Sequence, residues 1–219
     1  MDNICKLSFL LGQSEVNSLA SASIIIYKDE LFVASAAHCL YDLGTNEIAK
    51  NISIEVENCG MKESYDVLKI VIPEKWISTH RLTYDYAFGW VKMPENMKNI
   101  AFIPEFDLSE VIEEHPKLVT LAGYPISLFS SKKRYSKGEL DLTLLKEEQL
   151  IGMRSKLKHG ISGGPWFFES NNEKFQIGVT SAKIKSFKNM VWASIWTKDT
   201  ERILNKLLTS EMQEKIILA

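Results

Sequence analysis

Short apolar runs separated by polar turns fill most of the chain, and helical spacing shows in one place only. Ser23–Tyr27 (SIIIY) is a β-branched run, Lys28-Asp29-Glu30 a polar turn and Leu31–Ala34 (LFVA) a returning arm, which together predict a hairpin. Cys5–Leu11 reads as a strand before it, Ile52–Val56 and Tyr65–Ile72 alternate, and Tyr86–Val91 is a further apolar stretch. Pro94, Pro104 and Pro116 break a polar, irregular segment that predicts a linker between halves. Beyond it, Leu118–Ala122, Glu139–Leu145, Gln149–Met153, Pro165–Phe168, Phe175–Ser181 and Met190–Trp196 read as strands. From Lys198 to Leu218 the apolar residues Ile203, Leu204, Leu207, Leu208, Met212, Ile216 and Ile217 recur at helical spacing, with Thr200 or Asp199 as caps. Two sets of about six short strands followed by one helix predict an all-β chain of barrels or sandwiches rather than βαβ units.

Composition narrows the class. At 219 residues, with 45% apolar and 25% charged positions, the chain can bury a sizeable core and shows no disordered or low-complexity segment. No apolar run approaches membrane-spanning length, so no membrane role is expected. Leu7–Leu11 is too short for a signal peptide, and Gln13, Ser14, Glu15 and Asn17 interrupt the path to a cleavage site. The three cysteines, Cys5, Cys39 and Cys59, include no C-x-x-C pair. In an unexported chain this favours free thiols and a cytoplasmic location.

The net charge of −2 conceals segregation: residues 1–130 carry 10 Lys/Arg against 18 Asp/Glu, and residues 131–190 carry 12 against 6. Either two solvated faces attract each other or the basic part serves an acidic partner. Nucleic acid is not expected, because the basic residues lack interleaved aromatics or a recognisable binding motif.

Three short stretches carry candidate chemistry. Ser35-Ala36-Ala37-His38-Cys39 ends a hairpin arm, Asp85-Tyr86-Ala87-Phe88 opens an apolar strand, and Gly160-Ile161-Ser162-Gly163-Gly164-Pro165 brackets a serine with glycines. His38 beside Cys39 alone is open to a thiolate–imidazole pair, a metal ligand, half of a disulfide or a buried histidine. With Asp85 and Ser162 it acquires a function. A serine hydroxyl attacks well only when a base takes its proton, and neutral imidazole does so near pH 7. An aspartate fixes the imidazole tautomer and stabilises the imidazolium. The N–H groups of Gly160 and Ser162 can then receive the developing oxyanion. His80, His115 and His159 show no metal-ligand spacing with a cysteine or carboxylate cluster, and no cofactor motif occurs.

In these stretches the chain resembles a trypsin-like (chymotrypsin-fold) serine peptidase, closest in look to the bacterial glutamyl-endopeptidase-like branch. SAAHC is similar to that family's histidine motif, DYAF to its aspartate motif, GISGGP to its serine motif, and AGYP at Ala122–Pro125 to a strand and turn of the bacterial branch. The chain order His, Asp, Ser is that of chymotrypsin-type enzymes. The resemblance spans Cys5 to Trp196. It implies two six-stranded antiparallel β-barrels, over residues 1–105 and 106–197, and a C-terminal helix over 198–219. His38 and Asp85 would come from the first barrel and Ser162 from the second. It further implies that Ser181 supports the aspartate, and that Ser181–Lys183 pair with a peptide or protein substrate as an added strand.

Departures from the family modify the expectation. Ile161 stands where trypsin-type zymogens carry an aspartate before the serine, so activation by N-terminal clipping is not expected. Control by a partner protein or a conformational switch is expected instead. Ser23 occupies the place of the cysteine that would pair with Cys39. Lys156, six residues before Ser162, falls where the family places the base of the specificity pocket, with Lys158 and Lys183 nearby, which implies an acidic residue before the scissile bond; His159 flanks the oxyanion loop and is expected to line the substrate cleft. Thr180 stands where glutamyl endopeptidases use a histidine. A catalytically silent, peptide-binding relative is the alternative. Cys39 as nucleophile would leave GISGGP without a role.

Overall fold

The computed structural model describes residues 3–12, 14–58, 60–109, 112, 118–125, 132–157, 159–210 and 216–218. The first half runs β1 (Ile4–Leu10), β2 (Ser18–Tyr27), β3 (Glu30–Ser35), a helical turn α1 (Ala37–Leu40), short β4 (Tyr41–Asp42) and β5 (Glu47–Ile48), β6 (Lys50–Asn58), β7 (Met61–Ile72), α2 (Glu74–Thr79) and β8 (Ala87–Val91). Strands β7-β6-β1-β2-β3-β8 follow one another, and β8 pairs back onto β7 to close a six-stranded barrel. The β2–β3 hairpin turns on Lys28 and Asp29, both at positive φ (49° and 66°), as a two-residue primed turn requires. Its apolar runs are continuous because both faces are covered. Ile24 and Val33 point into the barrel core, while Ile25, Phe32 and Ala34 join the packing between the two halves.

The linker follows as a 3₁₀ turn (Glu95–Ile100) and β9 (Ile103–Pro104). Phe102 exchanges backbone hydrogen bonds with β2, through Ile26 N–H and Ile24 C=O at 2.9 Å each, and Glu105 N–H donates to Gln176 C=O. The chain thus passes from the first sheet to the second in a few residues. The Phe102 ring lies tilted against Phe167 in the interface, with centroids 4.8 Å apart.

The second half comprises β10 (Leu118–Gly123), β11 (Arg134–Glu139), a helical turn α3 (Leu145–Glu148), β12 (Leu150–Arg154), β13 (Pro165–Ser170), β14 (Glu173–Ala182) and β15 (Met190–Ile195). Their order is β11-β10-β13-β14-β15-β12, with β9 parallel to β14. The sheet curls around Trp166, Leu121, Ile151, Met153 and Val191. It does not close as the first one does: among the described residues, its two ends meet through an isolated bridge between Asp141, just past β11, and Gly152 of β12. The six strands expected of the second barrel are present, curled into a half-barrel.

Two expected elements change. The strand expected over Glu139–Leu145 ends at Glu139, because the Asp141 carboxylate accepts the Thr143 N–H at 2.9 Å and turns the chain. The expected Lys198–Leu218 helix is α4 (Lys198–Thr209) followed by β16 (Ile216–Leu218), parallel to Ile70–Ile72 of β7. Ser210 leaves helical geometry, and the buried Lys69 ammonium donates to its carbonyl (2.8 Å) and hydroxyl (2.9 Å). The N-cap of α4 is Thr197, with its N–H bonded to Thr200 Oγ1 at 3.0 Å. Leu204 and Leu207 of α4 pack with Trp196, Phe88 and Val71, sealing the interface between the sheets.

Candidate active site

β3 delivers the chain through Ser35 and Ala36 into α1, where His38 is the second residue. Ala36 and Ala37 are fully buried in the first core, which explains the run of small residues before the histidine. The His38 backbone N–H donates to Asp85 Oδ1 at 2.9 Å, and its Nδ1 lies 2.8 Å from Asp85 Oδ2. Nδ1 therefore carries the proton, leaving Nε2 as the basic nitrogen. Burial lowers the pKa of this imidazole, but the Cys39 sulfur and the Asp85 carboxylate raise it more, so it stands well above the usual histidine value.

Asp85 follows a 3₁₀ turn (Leu82–Tyr84) and is fully buried. Ser181 Oγ, from β14, donates to its Oδ2 at 2.5 Å. The same loop is fastened to the second sheet elsewhere. Ser194 Oγ of β15 donates to Thr83 C=O at 2.6 Å, and the Thr83 hydroxyl donates to Glu148 C=O. Arg81 pairs with the Glu148 carboxylate at 3.4 Å. A first-barrel aspartate is thus held by second-sheet side chains.

The Gly160–Gly164 loop is held by backbone. Gly163 N–H donates to Thr180 C=O (2.8 Å), Gly164 N–H to Ile161 C=O (2.9 Å), and Ser21 N–H to Ser162 C=O (2.9 Å). Ser21 Oγ donates to Gly160 C=O at 2.9 Å and accepts the Tyr124 N–H at 2.8 Å. A Cβ on Gly163, where φ is +75°, would lie 2.1 Å from Ser35 Oγ, 2.4 Å from Ser21 O and 2.9 Å from Ala36 N. No side chain fits there, so the serine loop lies directly on the segment that leads into His38. Among the described residues, the N–H groups of Gly160 and Ser162 donate to no protein acceptor, and Ser162 Oγ makes no hydrogen bond. Two free donors beside an unbonded hydroxyl suit a site that receives a carbonyl; such contacts tighten when substrate arrives.

The remaining expected residues divide. Lys183 donates to Leu157 C=O, spanning the two chain segments that flank Ser162. His159 is exposed beside Gly160. Thr180 is buried, with its hydroxyl accepting the Trp166 indole N–H at 2.9 Å. Lys156 is exposed and lines a cleft with Tyr135, Ser136, Arg154, Ser155, Leu157 and Asn189, not with Ser162, Ser181 or Lys183. Lys158, His115 and Cys59 lie outside the described residues, and His80 is an exposed residue ending α2. Cys5 and Cys39 are buried free thiols, and burial pushes the Cys5 thiol up. Ser23 Oγ is buried and, among the described residues, has no hydrogen-bond partner. Among the described residues no group of three or more His, Cys, Asp or Glu could hold a metal ion.

Sequence reasoning missed Ser21, Thr83 and Ser194. No local signal separates Ser21 from Ser23: both are buried in β2, yet among the described residues Ser21 Oγ is hydrogen-bonded and Ser23 Oγ is not.

The trypsin family model matches residues 8–190. No curated protein matches the chain in sequence. Among solved structures, the thermostable serine protease AL20 from an extremophilic microorganism superposes with a TM-score of 0.77 at 19% identity, covering 95% of this chain and 98% of its own. The protease Anisep from Arthrobacter nicotinovorans gives 0.77 at 20% identity, covering 95% and 96%. A Glu endopeptidase in complex with MPD gives 0.71 at 14% identity, covering 91% and 88%. At these identities the likeness is one of fold.

Proposed function

Because the chain belongs to the trypsin family and is a serine endopeptidase, we propose that His38, Asp85 and Ser162 form its catalytic triad. The observation that carries this reading is the Asp85 carboxylate, bonded to both His38 Nδ1 (2.8 Å) and Ser181 Oγ (2.5 Å). A peptide lies along Ser181–Lys183 with its scissile carbonyl directed at the N–H groups of Gly160 and Ser162. Ser162 Oγ attacks the carbonyl carbon while His38 Nε2 takes the hydroxyl proton. The tetrahedral oxyanion is held by the two N–H groups, and Asp85 stabilises the imidazolium. Collapse breaks the C–N bond, and His38 returns the proton to the departing amine. A water then attacks the acyl-enzyme by the same steps and releases the acid.

Lys183 selects an acidic residue before the scissile bond: its ammonium reaches from the substrate-pairing strand to the segment before Ser162, where it can meet a carboxylate. Activity needs no N-terminal trimming. The buried Ile161 offers no carboxylate for a new ammonium, and Ile4–Leu10 is already woven between β2 and β6. The enzyme works in the cytoplasm under control of a partner or a conformational switch, a reading supported by the free buried thiols Cys5 and Cys39.

Labelling of the purified full-length chain by a fluorophosphonate probe tests the triad. Modification of Ser162 that disappears in His38→Ala is expected; an unlabelled chain under all conditions would return the protein to a silent binding role. Profiling cleavage of a peptide library then tests the acidic preference, which Lys183→Ala removes.

A further inference from the structure

The half-open second sheet leaves a wedge between its end strands. Among the described residues β11 pairs only with β10, and β12 pairs with β15 on one side. At one end the wedge is shut: Asp141 and Gly152 exchange N–H to C=O bonds of 2.7 and 2.8 Å, and a Cβ on Gly138 would meet Met153 Cγ at 2.9 Å. Towards Tyr135 it opens into a cleft of about 550 Å³ lined by Tyr135, Ser136, Arg154, Ser155, Lys156, Leu157 and Asn189. The lining holds two cations and no carboxylate. Arg154, which ends β12, and Lys156, just beyond it, are exposed while Ser155 between them is buried, so both charges face outward two positions apart. Arg154 also acts on Asp141, at the closed end. Tyr135, 54% exposed, adds an apolar face. Both cations belong to the basic part of the chain, residues 131–190.

We propose that this cleft binds an extended acidic segment of a partner protein, laid as an added strand along β11 with its carboxylates facing Arg154 and Lys156. An unpaired strand edge supplies main-chain hydrogen bonds to a guest chain, and side chains on alternate positions supply selection. The cations at alternate positions match a guest with acidic residues at every second place, and their field speeds the encounter. Neither Ser162 nor Ser181 lines the cleft, while Leu157 at its margin accepts a hydrogen bond from Lys183.

The test uses the full chain as Ser162→Ala, so that the probe stays intact, and fluorescence anisotropy with labelled peptides of roughly ten residues alternating Glu-Val, Lys-Val or Ser-Val. The Glu-Val peptide is expected to bind, and to weaken about tenfold or more in Arg154→Glu, or when salt rises from about 50 to about 300 mM. Hydrogen exchange is expected to slow at residues 134–139. The proposal is overturned if Glu-Val and Lys-Val peptides bind alike, or if protection falls on Ser181–Lys183 instead. It is equally overturned by a self-associated chain that binds no peptide. Circular dichroism checks folding of the variant; should Arg154→Glu fail to fold, Lys156→Glu carries the same expectation, and unchanged affinity there rejects the cleft.

Discussion

His38 and Asp85 are joined by side-chain hydrogen bonds, whereas the Gly160–Gly164 loop is held by main-chain bonds and by contacts that exclude any Cβ. The first arrangement can lose one bond and keep its shape. The second depends on backbone position, so a single methyl group displaces the loop as a whole. On the proposed triad, the His38–Asp85 half of the site is therefore graded in its response to substitution, and the Ser162 half is close to all-or-none.

The largest effect is expected from Gly163→Ala. A Cβ 2.1 Å from Ser35 Oγ and 2.4 Å from a backbone oxygen, at φ +75°, must push the serine loop off the His38 segment. Fluorophosphonate labelling should fall to background and the melting temperature should drop; a variant that labels at the wild-type rate would erase the contrast. Asp85→Asn comes next. Loss of the correct imidazole tautomer is expected to lower kcat by about 10⁴-fold with the fold retained, read by steady-state kinetics beside circular dichroism.

The pH profile sharpens the same half. His38 must be neutral to accept a proton, and its neighbours hold its pKa up. The acid limb of kcat/KM should therefore lie above about 6.5, the unperturbed histidine value. For stability the sign is opposite: charged His38 favours the folded chain below its unfolded pKa, and that contribution is lost as pH rises through the raised folded pKa. Ser181→Ala is expected to act least, lowering kcat about tenfold with little change in KM, because Asp85 keeps both His38 bonds.

The runs SIIIY and LFVA were legible because strands covered on both faces must be continuously apolar, and β2 and β3 lie between a barrel core and the interface. The site stretches were legible because their chemistry is local: small residues pack behind His38, and glycines permit close approach around Ser162. β11 was not, since an edge strand reading RYSKGE carries charge instead of an apolar pattern. The tail misled because Ile216 and Ile217 keep helical spacing with α4, yet their segment pairs with β7. Lys156 was placed by counting back from Ser162, but the path after β12 turns that side chain towards the seam of the sheet. Long-range hydrogen bonds such as Ser194 to Thr83 leave no trace in local spacing.

Those cross-sheet bonds also set a timetable. A ribosome releases His38 and Asp85 well before the strands that carry Ser181 and Ser194, so the closed first barrel can exist while the aspartate loop still lacks its anchors. On the proposed triad, a nascent chain of this endopeptidase therefore emerges with its catalytic residues still apart, and they come together only once β14 and β15 have followed.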